Sequence, residues 1–158
     1  MRYTQELIKT LLLIPTILAV LNVFGQNENS RIRNYNSNRG VVLEGYDPVS
    51  FFEGEPKEGK EDIELNYKGL LYFFSSQVNR NKFKMNSEKY EPAYGGWCAY
   101  AMGATGEKVK IDPETYKIVD GKLYLFYNFW GKNTLEDWNK NEEKLKTAAD
   151  KNWKKFIP

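Results

Sequence analysis

"YKIVDGKLYLFY", residues Tyr116 to Tyr127, is the stretch on which the fold turns. Apolar residues alternate on both sides of Asp120-Gly121, a dipeptide that accepts the left-handed backbone of a two-residue hairpin turn. The segment predicts two antiparallel strands. Upstream, Ile63, Leu65 and Tyr67 alternate, Lys68-Gly69 turns and Leu70 to Phe74 returns, which predicts a second hairpin after a charged loop. Val41 to Leu43 reads as a short strand, and Asp47-Pro48 as a turn. Between the hairpins, Ser75 or Ser76 is placed to cap a helix over "SQVNRNKFKMN", with Phe83 as its inward anchor, and "NSEKY" suggests a further helical turn. From Asn133 the pattern becomes helical. Leu135, Trp138, Leu145, Ala149, Trp153 and Phe156 form a broken apolar stripe, and the polar interval Asn139 to Glu143 is where it would divide. The whole predicts an α+β fold, a small antiparallel sheet of hairpins packed with short helices and closed by a C-terminal helical segment.

Composition narrows the chemistry. In 158 residues there is one cysteine and no histidine, which removes Ser-His-Asp and Cys-His catalysis, histidine zinc sites and imidazole haem ligation. Met1 to Gly25 carries Arg2 and Lys9, then the apolar run "LLLIPTILAVLNVFG", with Val23 and Gly25 at the −3 and −1 positions of a signal peptidase site. Residues 1–25 are therefore expected to be a cleaved signal peptide and the protein to be exported, periplasmic or secreted; an uncleaved segment would be its one tie to a membrane. Residues 26–40, polar and rich in Asn and Ser, read as a flexible leader, and residues 41–158 as the single domain. Removing two basic and one acidic residue with the signal takes the formal charge from +2 to +1. That balance gives no reason to expect nucleic acid or anionic membrane as partner.

The ordered motifs "YDPVSFF", "YKGLLYFFSSQVNRNKF", "NSEKY", "YGGWCAYAMG" and "DGKLYLFYN" resemble the YHS domain family, in its exported single-domain branch, from Val42 to the C terminus. The resemblance implies a small binding module. In metal-handling relatives, three cysteines fall at positions that correspond here to Ser50, Ser75 and Asn79. Two serines and an asparagine are poor donors for a soft metal, so the likeness supports the fold and undercuts the usual metal site.

"EPAYGGWCAYAMG", Glu91 to Gly103, holds the remaining candidates. Cys98 is read as a small core residue beside Trp97 and Tyr100, as a reactive thiol helped by Lys108 or Lys110, or as a metal ligand with Met102 four residues on. A copper or other transition-metal ion is the cofactor that a thiolate and thioether would take. Gly95-Gly96 is either a turn or a cradle whose amides face a ligand. Asp47 either closes an Asx-turn or faces Cys98 across a pocket with Tyr46, Tyr94 or Tyr100 as hydrogen-bond donors. The expected ligand site is thus Asp47, Tyr94, Gly95, Gly96, Cys98 and Tyr100, with Cys98 and Met102 for a metal. Its partner is a small ligand or metal ion, and no catalytic residue is assigned. The alternatives are a thiol-dependent redox or catalytic protein using Cys98, and an interaction module without a working site.

Overall fold

The computed structural model describes residues 29–157. The expected signal segment lies outside the described residues. Helix α1 covers residues 29–34 and is followed by β1 (Ser37–Asn38) and β2 (Val41–Val42). Strands β3 (Lys60–Tyr67) and β4 (Leu70–Phe74) precede helices α2 (Gln77–Met85) and α3 (Ser87–Tyr90). A 3-10 turn, Ala93–Gly96, leads into α4 (Ala99–Ala104). Then come β5 (Asp112–Val119) and β6 (Lys122–Phe126), the two-residue strands β7 (Asn128–Phe129) and β8 (Lys132–Asn133), and helices α5 (Thr134–Asn139) and α6 (Glu142–Trp153). This is an α+β fold with a C-terminal helical segment.

Local chemistry explains most of these boundaries. Asp120 and Gly121 both have positive φ, at 51° and 71°, and close the β5–β6 hairpin; Lys68 and Gly69 do the same for β3–β4. Ser76 caps α2 by accepting from the Asn79 amide, and Asn133 caps α5 by accepting from the Leu135 amide.

The main sheet departs from expectation. Its strand order is β1-β2-β4-β3, and β2 lies parallel to β4 with Val41 opposite Leu71, so the sheet is mixed rather than antiparallel. Two-residue turns force antiparallel pairing within each hairpin, whereas the long connection between hairpins leaves their relative direction to packing. The β5–β6 pair stands apart from this sheet.

β6 divides the interior. Leu123 and Leu125 join the cluster of Val42, Phe51, Phe74 and Phe83, while Tyr124 and Phe126 join that of Met102, Trp138 and Ala149. Successive strand residues face opposite ways, so the four buried residues of one strand, Leu123 to Phe126, serve both clusters. Helices α4 and α6 approach so closely that a Cβ at Gly103 would stand 2.5 Å from the Leu145 carbonyl oxygen. Among the described residues no helix is long and apolar enough to cross a membrane.

The leader expectation fails for residues 29–40. Arg31 is buried, Tyr35 packs edge-on against Trp153, and β1 pairs with β2. Polar composition misled because this stretch docks through hydrogen bonds and one ion pair rather than through an apolar stripe.

Candidate functional site

The segment from Pro92 to Cys98 runs beside β6, with parallel bridges from Pro92 to Leu123 and from Cys98 to Leu125. Tyr94 and Gly95 adopt left-handed backbone, at φ 53° and 60°. At position 95 only glycine fits: a Cβ there would meet Trp153 at 2.8 Å and Tyr35 at 3.0 Å. The glycine pair therefore serves close approach of other parts of the chain. The Asn36 amide donates to the Gly95 carbonyl at 2.8 Å, and its side-chain amide donates to the Gly96 carbonyl at 3.0 Å. Trp97 Nε1 donates in return to the Asn34 carbonyl at 2.6 Å. Residues 34–36 thus occupy the edge of the turn that was expected to meet a ligand.

The other expected residues separate. Tyr94 is buried and donates to Asp150 at 2.9 Å; burial first, and the Asp150 charge second, push its pKa up. Cys98 is fully buried, 3.4 Å from the Thr134 hydroxyl, and its sulfur accepts from the Tyr127 amide at 3.4 Å. Lys108 turns instead to Asn34 and Phe156, and Lys110 to Phe129 and Trp130. Neither lysine is placed to activate the thiol. Met102 is also fully buried, but it packs in the Trp138 cluster while Cys98 packs with Leu125 and Phe51. Tyr100 is half-buried on a groove shared with Gly103, Asp137 and Leu145. Among the described residues, no group of three or more His, Cys, Asp or Glu side chains is placed to hold a metal.

Asp47 belongs to a different constellation. Its carboxylate accepts from the Val49 amide at 2.9 Å, the Ser75 amide at 2.9 Å, the Ser75 hydroxyl at 2.6 Å and the Asn79 side-chain amide at 2.8 Å. Ser50 donates to the Asp47 carbonyl at 2.6 Å. Ser50, Ser75 and Asn79, the three positions where the resemblance puts thiols, therefore all donate to one buried residue, Ser75 and Asn79 to the Asp47 carboxylate and Ser50 to its main-chain carbonyl. A carboxylate so enclosed offers a cation little, because three donors already crowd Oδ2 and the Val49 amide holds Oδ1. Hydroxyl and amide donors turned toward Asp47 do not fit a thiolate-bound metal.

A second buried carboxylate, Glu91, has no part in the expected site. Arg31 reaches it through both terminal nitrogens, and the Tyr72 hydroxyl donates to it at 2.8 Å. The Arg31 guanidinium lies 4.4 Å from the centre of the Tyr35 ring and 5.9 Å from that of Tyr67. Burial opposes the charge on Arg31, yet its hydrogen bond to Glu91 and the surrounding charges raise its pKa. Burial and the Glu91 charge raise Tyr35 and Tyr72, which stay protonated at neutral pH. One signal was present in the sequence: Glu91 sits between Tyr90 and Pro92 in an otherwise apolar and glycine-rich stretch, where a carboxylate needs a partner. Nothing local named Arg31, which is 60 residues away.

Comparison of the chain with family models, curated proteins and solved structures finds no match.

Proposed function

We propose that the protein is an exported, non-catalytic binding module of the YHS type, which holds a polypeptide segment on the Tyr94–Trp97 turn. The observation that carries this reading is the paired hydrogen bonding of Asn36 to the Gly95 and Gly96 carbonyls, closed by Trp97 Nε1 on the Asn34 carbonyl. Backbone carbonyls and an indole N–H recognise a peptide main chain and amide side chain without any charged ligand. Support for the YHS likeness comes from the meeting of Ser50, Ser75 and Asn79 around Asp47. The enclosed sulfur of Cys98 favours binding over thiol chemistry, which needs an accessible thiolate.

The test is an NMR titration of ¹⁵N-labelled Arg31→Ala/Asn36→Ala, in which the internal segment has lost its ion pair and its side-chain bond to Gly96. A peptide of residues 29–38, Zn(II) and Cu(I) are added separately. The peptide should shift the Gly95 and Gly96 amides and the Trp97 indole N–H saturably, with the metals leaving them in place. Saturable shifts at Cys98 and Met102 with Cu(I), and none with the peptide, would replace this reading by a metal site. No shift with any of the three would overturn it.

A further inference from the structure

Resting on that reading of the Tyr94–Trp97 turn, a second feature says what kind of segment the module selects. Among the described residues the buried apolar side chains all come from Val42 onward; of residues 29–40, Tyr35 alone packs on the apolar core, from its margin. The segment is held instead by polar contacts typical of a bound ligand. Asn34 and Asn36 meet the turn, and the Arg31 guanidinium lies against Glu91, whose carboxylate also accepts from Tyr72, and near the Tyr67 ring.

The chemistry of that contact is specific. Glu91 is 6% exposed and accepts from both terminal nitrogens of the guanidinium, a two-point contact that an ammonium group does not reproduce. Tyr72 fills a further lone pair of Glu91 at 2.8 Å and fixes the carboxylate plane, while Tyr67 supplies an aromatic wall. The segment is joined to the domain by a two-residue turn, Arg39-Gly40, at φ 51° and 85°. Its release would break the two-residue β1–β2 pairing and the edge contact of Tyr35 with Trp153, and would remove none of the fully buried core side chains.

We propose that Glu91, Tyr72 and Tyr67 form a guanidinium-recognition pocket which the chain fills with its own Arg31, so that residues 29–38 are a tethered ligand. The partner class is an arginine-bearing polypeptide segment, and an incoming one must displace the chain's own. A short tether gives the internal ligand an effective concentration on the order of millimolar, so the wild-type protein competes strongly against a peptide in solution.

The experiment measures fluorescence anisotropy of a labelled peptide of residues 29–38, and of the same peptide with citrulline in place of arginine at position 31. Both are titrated with wild type, with Arg31→Ala and with Arg31→Ala/Glu91→Gln. The arginine peptide should bind Arg31→Ala at least about tenfold more tightly than wild type, since the tethered competitor has lost its anchor. Citrulline in the peptide, or glutamine at position 91, should each remove that gain. Should Arg31→Ala not fold, Arg31→Lys keeps a positive charge beside Glu91 but lacks the two-point contact, and the same order of affinities is expected with it. Equal binding of the arginine and citrulline peptides overturns the guanidinium pocket and leaves the peptide-binding module standing. No binding of either peptide to any variant overturns both.

Discussion

Asp47 and Glu91 are two buried carboxylates in one small domain, stabilised in opposite ways. Asp47 is surrounded by neutral donors from Val49, Ser75 and Asn79, all inside the body of the fold. Glu91 is balanced by a full charge that arrives from outside that body, on Arg31, together with one tyrosine hydroxyl. Oriented dipoles that cannot leave make a closed structural knot. A charge carried on a separate helix makes a joint, because the pair exists only while the two segments are together.

The largest break in this comparison should come from Arg31→Ala. It leaves Glu91 buried and unpaired, at a cost of about 3–5 kcal/mol in urea denaturation, and replacing the pair together by Met at 31 and Leu at 91 should recover most of it. Loss below about 1 kcal/mol would mean that the pair is solvated in solution. Asp47→Asn comes next, at about 1–3 kcal/mol, because the amide turns a donor toward the donors of Ser75 or Val49. Its effect should not spread to peptide binding at the Tyr94–Trp97 turn, as the anisotropy titration can show.

Alkaline pH sharpens the contrast without mutation. Burial and Glu91 raise the Tyr35 and Tyr72 pKa values above the ordinary tyrosine value of about 10. The folded state therefore keeps protons that the unfolded chain gives up above that pH, so their contribution is complete below pH 10 and lost as pH rises beyond it. Melting temperature should be level from pH 8 to about 10 as far as these groups decide it, and then fall. Tyr72→Phe should soften the fall. A curve unchanged by that substitution would place the alkaline transition elsewhere. The smallest effect is expected at a site remote from both carboxylates: Trp130 is 89% exposed at the tip of β7–β8 with φ 51°, and Trp130→Asn should change stability by no more than about 0.5 kcal/mol.

Much of the fold was readable from neighbouring residues. The Asp120-Gly121 and Lys68-Gly69 hairpins, the Ser76 cap, the inward Phe83 and the division of the C-terminal helices all lie where alternation, turn chemistry and capping place them. The Asx-turn of Asp47 was legible too, since its Val49 partner is two residues away. The candidate site was legible only in fragments. Tyr94, Gly95, Gly96, Cys98 and Met102 were marked by residue type, but type could not show that the glycine carbonyls face Asn36 or that the two sulfurs fall in different clusters.

By itself the sequence determined the two long hairpins, α2, α3 and the divided C-terminal helices, because helix caps, hairpin turns and side-chain periodicity act over a few residues and need nothing distant to operate. It also excluded histidine chemistry outright. Tertiary structure alone decided the parallel meeting of β2 with β4, the occupation of the Gly95-Gly96 edge, and the pairing of Glu91 with Arg31. The reason is physical: a buried charge or carbonyl is satisfied by whatever group packing brings within about 3 Å, and distance along the chain has no bearing on that choice.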